Sequence, residues 1–287
     1  MARAFSPRCV LASPEPGDHY VRVNLCGLRG NRQSRAHPAH SIQESPYSVA
    51  NQDTENKLPF TTNAMSGGAI RANLSGEKSV NILDPSIVHY LHSLTPPRDS
   101  TLQEMERIAA EKRFPIIGPL VGRLLCQLTL LTRAQRIFEL GSGFGYSAIW
   151  FARGLQPGGR IVCTDGSGEN AALAARFFKQ AKIEGLVDYR TGDALSLLAE
   201  EPGSFDIILN DVDKHEYPEV FRQAVPRLKR GGLLITDNTL WGGRVVEDDD
   251  TPSTAGIRAF NRLALQSDDV LTTIIPLRDG VALSIKR

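Results

Sequence analysis

The sequence predicts an α/β fold, a doubly wound sheet with helices ahead of it and a hairpin at its end. Three observations carry that expectation. From Arg136 onward, short apolar runs of strand length alternate with segments of helical period. A glycine turn, Gly141-Ser142-Gly143-Phe144-Gly145, joins the first of those runs to a helix. Two strand-like runs, Val270 to Ile275 and Val281 to Ile285, flank the turn Pro276-Leu277-Arg278-Asp279-Gly280, which is a hairpin signal.

Residues 1–78 stand apart from this domain. They carry Pro7, Pro14, Pro16, Pro38, Pro46 and Pro59 among many Ser, Asn and Gly, and no helical or strand period persists. Such composition reads as disorder or loose coil. The first fifty residues hold six arginines, no lysine and three acids, a balance shared with organelle transit peptides. They lack a clear amphipathic helix and an apolar secretory core. A dispensable tail, or an over-extended start ahead of Met65, fits better than targeting.

The folded part, 79–287, opens with helices. Asp84-Pro85 starts one whose apolar face is Ile87, Val88 and Leu91. Thr101 starts another, with Leu102, Met105 and Ile108 at helical spacing. The stretch from Leu120 to Leu131, interrupted by Gly122, Arg123, Gln127 and Thr129, reads as a buried or amphipathic helix. Ile137-Phe138 is the first strand, and Ala148 to Ala152 belong to the helix after the glycine turn. Arg160 to Thr164 is the second strand, followed by a helix with Leu173, Phe177 and Ala181 on one face. Val187 to Arg190, Phe205 to Leu209 and Leu233 to Ile235 complete the parallel set.

Chemistry gathers where these strands end, as it does in open α/β sheets. Asp165 closes the second strand, where an acid can accept both hydroxyls of a ribose; alternatively it only starts a helix. Asp211-Val212-Asp213-Lys214 follows the fourth strand and Thr236-Asp237-Asn238 the fifth. Two carboxylates and an amide oxygen form a hard-oxygen set suited to Mg²⁺ or Ca²⁺. Either acid alone would read as a helix or turn cap. Lys214, three residues past Asp211, is placed to act as a base on a metal-bound hydroxyl. The loop has Tyr146 where a dinucleotide fingerprint would place its third glycine, which argues against a pyrophosphate ligand. Trp241 could wall an aromatic substrate or pack in the core, and Glu247 to Asp250 reads as a solvated loop.

From about Asn81 to Arg287 the chain resembles the cation-dependent class I O-methyltransferases, the caffeoyl-CoA and catechol enzymes and above all their bacterial relatives. The resemblance rests on Glu139-Leu140-Gly141 through Ser147, Gly192-Asp193-Ala194, Asp211 to Lys214 with Tyr217, Asp237 to Arg244, Ile257 to Asn261 and Pro276 to Gly280. It implies a Rossmann-like methyltransferase sheet with one antiparallel C-terminal strand. It also implies an S-adenosylmethionine site built by Glu139, Gly141, Ser142, Ser147, Asp165, Ala194 and Asp211. Asp211, Asp237 and Asn238 would hold a divalent metal such as Mg²⁺, and Lys214 would be the general base. A small phenolic acceptor of the vicinal-diphenol type follows, with Trp241 beside it and specificity in loops 93–101 and 240–254. So does a homodimer formed with help from the N-terminal helices. The sequence departs from the pattern at Gly143 and at Gly166-Ser167-Gly168.

Composition sets limits. The net charge is +1, from 33 basic and 32 acidic residues, which gives no support for nucleic-acid binding. No apolar run spans a membrane. Cys9, Cys26, Cys126 and Cys163 have no metal-ligand spacing, which suits a reduced, cytoplasmic setting. His89 and His92 share a helix face without a carboxylate and read as surface or packing residues. Two rival functions stay in view. An NAD-dependent oxidoreductase would share the glycine turn and Asp165, but would leave the strand-end carboxylates and the hairpin unexplained. A non-catalytic methyltransferase-fold protein would be expected to have lost Lys214 or Asp211.

Overall fold

The computed structural model describes residues 81–287. The expectations for the N-terminal tail, Met65, Cys9 and Cys26 lie outside the described residues. Three helices come first: α1 (Pro85–Leu94), α2 (Ser100–Lys112) and α3 (Gly118–Thr132). Then follow β1 (Arg136–Leu140), α4 (Tyr146–Gly154), β2 (Arg160–Asp165), α5 (Gly168–Gln180), β3 (Val187–Thr191) and α6 (Ala194–Glu200). The chain continues through β4 (Phe205–Asn210), α7 (Tyr217–Ala224), β5 (Leu228–Thr236), α8 (Pro252–Gln266), β6 (Val270–Ile275) and β7 (Val281–Lys286).

The seven strands form one sheet in the order β3-β2-β1-β4-β5-β7-β6. The pairs β1–β2, β1–β4, β2–β3 and β4–β5 are parallel, while β7 runs antiparallel to both β5 and β6. The alternation of side chains along each strand feeds two cores, because a parallel sheet is covered on both faces. Ile137, Ile161, Ile207, Leu209 and Ile235 face α2 to α5, where Leu102, Met105, Leu125, Phe151 and Phe177 bury. Phe138, Val162, Ile208 and Leu234 face α6 to α8, where Leu198, Val220, Phe221, Ile257 and Phe260 bury. Each fully buried side chain of this size contributes about 1.5–3 kcal/mol.

Side chains set the helix starts. Asp84 accepts from the Ser86 amide at 2.8 Å with Pro85 in the first turn, and Asp99 accepts from Leu102 at 3.0 Å. The second helix therefore begins at Ser100, one residue before Thr101, because Asp99 is the cap. Asp193 caps α6 and Thr251 caps α8 in the same way.

One sequence expectation is refined and one is corrected. The helix expected after Asp84-Pro85 is present, and its apolar face is not covered by the core: none of its residues is buried, Val88 and Leu91 are half-buried, and Ile87, with Tyr90 and Leu94, is exposed. Periodicity marks an apolar face but not what covers it. Segment 240–254 is not all loop, since a 3-10 turn spans Trp241–Val246 and α8 begins at Pro252. Within the acidic run, Asp249 accepts from the Thr251 amide at 2.9 Å and the Thr254 hydroxyl at 2.7 Å, while Asp248 and Asp250 are exposed.

Candidate active site

A cavity of about 720 Å³ opens at the carboxyl ends of the parallel strands. Among the predicted site residues, Gly141, Ser142, Ser147, Asp165, Ala194, Asp211, Lys214, Asp237, Asn238 and Trp241 line it, and Asp213 does too. Glu139 is not at its wall. It is buried one layer below the glycine turn, where its carboxylate accepts from the Ser147 hydroxyl.

The turn is shaped by its neighbours. Gly141 has φ 84°, and a Cβ there would lie 2.8 Å from the Asp211 carbonyl carbon. Only glycine lets the β1 tip pass that close to the β4 tip. Phe114 packs over Gly143 and against Phe144, with ring centroids 4.9 Å apart. Phe114, Pro115, Ile116 and Ile117, the linker from α2 to α3, thus form an apolar wall of the cavity. That wall has no signal in the sequence, because it depends on how α2 meets the sheet.

Asp165 has several partners. One oxygen accepts from the Gly143 amide at 3.0 Å, and the other from the Ser167 amide at 2.8 Å and the Asn170 side chain at 3.0 Å. It is not the cap of α5, a role taken by Ser167. Asp165 therefore ties the glycine turn to the start of α5 while its carboxylate lines the cavity.

The strand register brings the two carboxylates together. Asn210 and Thr236 are paired across β4 and β5, so Asp211 and Asp237 follow at the same level on adjacent tips. Neither acts as a helix cap. Lys214 Nζ donates to Asp211 Oδ1 at 2.9 Å and to the Val212 carbonyl at 3.1 Å. The lysine also lies 5.4 Å from the Tyr217 ring centroid and 5.9 Å from that of Trp241. Tyr217 is buried and donates its hydroxyl to the Asp237 carbonyl at 3.0 Å. Asn238 adopts φ 57°, a left-handed conformation that Asn tolerates. Its Nδ2 donates to Asp279 at 3.2 Å, and Asp279 also accepts from the Gly242 amide.

Asp237 is 1% exposed, and its Oδ1 has no hydrogen-bond partner. Burial pushes its carboxyl up to about 7, with the Asp211 charge adding to the rise. Burial also raises Asp211, against the pull of Lys214. A buried carboxylate with a free oxygen, beside a second carboxylate, is the arrangement a cation relieves. The donor set is two carboxylates and the Asn238 amide oxygen; among the described residues, no cluster of three His, Cys, Asp or Glu is placed to hold a metal. That composition fits an oxygen-loving ion such as Mg²⁺ that retains waters.

Among the described residues no helix is long and apolar enough to cross a membrane. Residues 92–287 match the profile of a family described as O-methyltransferase. Over 217 residues the chain is 34% identical to a catechol O-methyltransferase of Niastella koreensis, covering 71% of this chain and 98% of that protein. It is 30% identical to caffeoyl-CoA O-methyltransferase 1 of Eucalyptus globulus over 72% of this chain and 91% of the relative. An O-methyltransferase from Bacillus cereus, solved in complex with SAH, superposes with a TM-score of 0.65 at 31% identity, over 70% of this chain and 97% of that one. An O-methyltransferase of tomaymycin synthesis from Streptomyces achromogenes, solved with SAM, gives 0.64 at 31% identity over 70% of this chain and 96% of that one.

Proposed function

Since this chain belongs to the O-methyltransferase family and is an S-adenosylmethionine-dependent enzyme of the caffeoyl-CoA and catechol type, we propose that it methylates one hydroxyl of a vicinal diphenol with the help of a divalent metal. The observation that carries the metal reading is Asp237, a buried carboxylate with a free oxygen next to Asp211. Family membership removes the NAD-dependent alternative, and the antiparallel β7 between β5 and β6 suits a methyltransferase sheet.

In this reading Asp211, Asp237 and Asn238 hold the metal. When bound, such an ion would supply Lewis acidity that favours the phenolate over the neutral hydroxyl. The chain's own residues then do the rest. Asp165, the glycine turn and Ala194 hold the cofactor so that its methyl group faces the acceptor. The phenol oxygen forms a bond to the methyl carbon as the carbon–sulfur bond breaks, and the electron pair leaves with sulfur. Lys214 Nζ, as the neutral amine, takes the hydroxyl proton. Trp241 and the Phe114 to Ile117 wall flank the aromatic acceptor and keep water out. Alignment of this kind can supply roughly 7–11 kcal/mol of the barrier. The exposed apolar face of α1, with Ile87, Tyr90 and Leu94, supports a homodimer.

The test is a methylation screen of vicinal diphenols with and without Mg²⁺. Chelation is expected to abolish methyl transfer and Mg²⁺ to restore it. Full activity in excess chelator would return the reading to a metal-independent methyltransferase.

A further inference from the structure

Asp211 and Asp237 each carry a cation from the chain itself. Lys214 serves Asp211, as described above. Asp237 is served by Arg278, from the turn between β6 and β7, whose Nη1 lies 3.3 Å from Asp237 Oδ2. Arg278 and Asp237 are 41 positions apart, so β7 pairing beside β5 is what brings them together.

The contact has an unusual form. Arginine binds carboxylates best through two parallel bonds at 2.7–2.9 Å. Here one nitrogen reaches one oxygen at a longer distance, and Oδ1 is left without a partner. The Arg278 side chain is 38% exposed while Asp237 is 1% exposed, so the guanidinium stands at the rim and can withdraw into water. An unpaired buried carboxylate is costly to a fold, and a loose single-bond ion pair relieves that cost with little to hold it in place.

We propose that Arg278 is a resident counter-cation of the metal site, which neutralises Asp237 when no metal is bound and is displaced from Asp237 by the divalent ion. The proposal rests on the metal reading given above. Metal affinity then reflects a competition: the ion must expel Arg278 as well as shed water. Arg278 thereby sets how tightly this chain holds its metal and keeps the empty site folded.

The test uses the full chain and Mg²⁺ or Mn²⁺ alone, with no acceptor present. Isothermal titration is expected to show Arg278→Gln binding Mg²⁺ at least tenfold more tightly than the unaltered protein, and Arg278→Lys within about threefold of it. The metal-induced rise in melting temperature is expected to be larger in Arg278→Gln, whose empty site has lost its partner. A second readout does not depend on that variant folding. The Arg278 Nε–Hε resonance of the unaltered protein, identified by its loss in Arg278→Lys, is expected to shift as Mg²⁺ saturates the site. Equal or weaker Mg²⁺ binding by Arg278→Gln, or a resonance that stays fixed at saturation, overturns the proposal while leaving the metal site standing. No binding of either ion to the unaltered protein overturns the metal reading and this proposal with it.

Discussion

Gly256→Ala tests how the lysine is held. Gly256 lies on the buried face of α8, against the backbone of the 3-10 turn Lys214–Glu216. A Cβ at this position would overlap the Lys214 carbonyl oxygen and lie 2.7 Å from His215 Cα. Carbon atoms pack at about 3.5–4.0 Å, so the helix and the turn must part by roughly 1 Å. Two terms then oppose each other in stability. Alanine in a helix interior gains about 1 kcal/mol over glycine, and overpacking costs about 1–3 kcal/mol. The net loss is expected to be at most about 2 kcal/mol, a fall in melting temperature of roughly 4–8 °C for a domain near 200 residues. Turnover is more sensitive, since a displacement of about 1 Å in a reacting group can cost about 100-fold. Methylation of a vicinal diphenol by Gly256→Ala is expected to fall by about two orders of magnitude, with S-adenosylmethionine affinity by calorimetry unchanged. Turnover within twofold of the unaltered enzyme would refute the idea that α8 fixes Lys214.

Other expectations follow from the same geometry. Asp165→Ala loses the acceptor for the Gly143 and Ser167 amides, and its S-adenosylmethionine binding is expected to weaken by roughly 1.5–3 kcal/mol in calorimetry; unchanged affinity would count against the assignment. Asp279→Ala frees Asn238 and the Gly242 amide, so Mg²⁺ affinity is expected to drop by about 10–100-fold in a titration, and an intact affinity would contradict a positioning role. Burial lifts Glu139 from the ordinary 4.5 to about 7. The folded chain therefore keeps a proton that the unfolded chain releases, and its contribution to stability is full below pH 4.5 and lost as pH rises through about 7. Glu139→Gln removes up to roughly 3 kcal/mol of that loss. Because Asp237 also rises to about 7, the slope of stability against pH in the metal-free, cofactor-free protein is expected to flatten, not vanish; urea midpoints at about pH 5 and about pH 8 check this, and an unchanged slope would show that Glu139 is ionised throughout.

The sequence was most legible where function depends on short spacing. The glycine turn, Asp165 and the Asp211 to Lys214 cluster each sit within a few residues of a strand end, and strand ends can be read from apolar runs. The strand register then placed Asp211 beside Asp237. Contacts made across the sheet carried no such signal. Arg278 and Asp279 stand in a turn whose residues matched a family pattern, yet their partners Asp237 and Asn238 are remote in sequence. Gly256 looks like any helix glycine until α8 is laid against the Lys214 backbone. Phe114 to Ile117 read as a linker, and only the packing of α2 and α3 makes them a wall. On α1, periodicity gave the helix but could not say that Ile87 stays in solvent.

The position of β7 has a consequence for biosynthesis. It is the last strand of the sheet in sequence, yet it lies between β5 and β6. While the chain is still emerging from the ribosome, β5 carries an open edge, and unpaired edges invite pairing with other nascent chains. The tip of β5 is also unfinished at that stage, because Thr239 and Leu240 donate their amides to Gly280 and Asp279 at 3.0 Å and 2.9 Å. Translation must pass residue 286 before the sheet can close and the side chains at the tip of β5 can be locked in place. A ribosome stalled after α8 would thus hold a nascent sheet that is adhesive and inert, a natural substrate for chaperones.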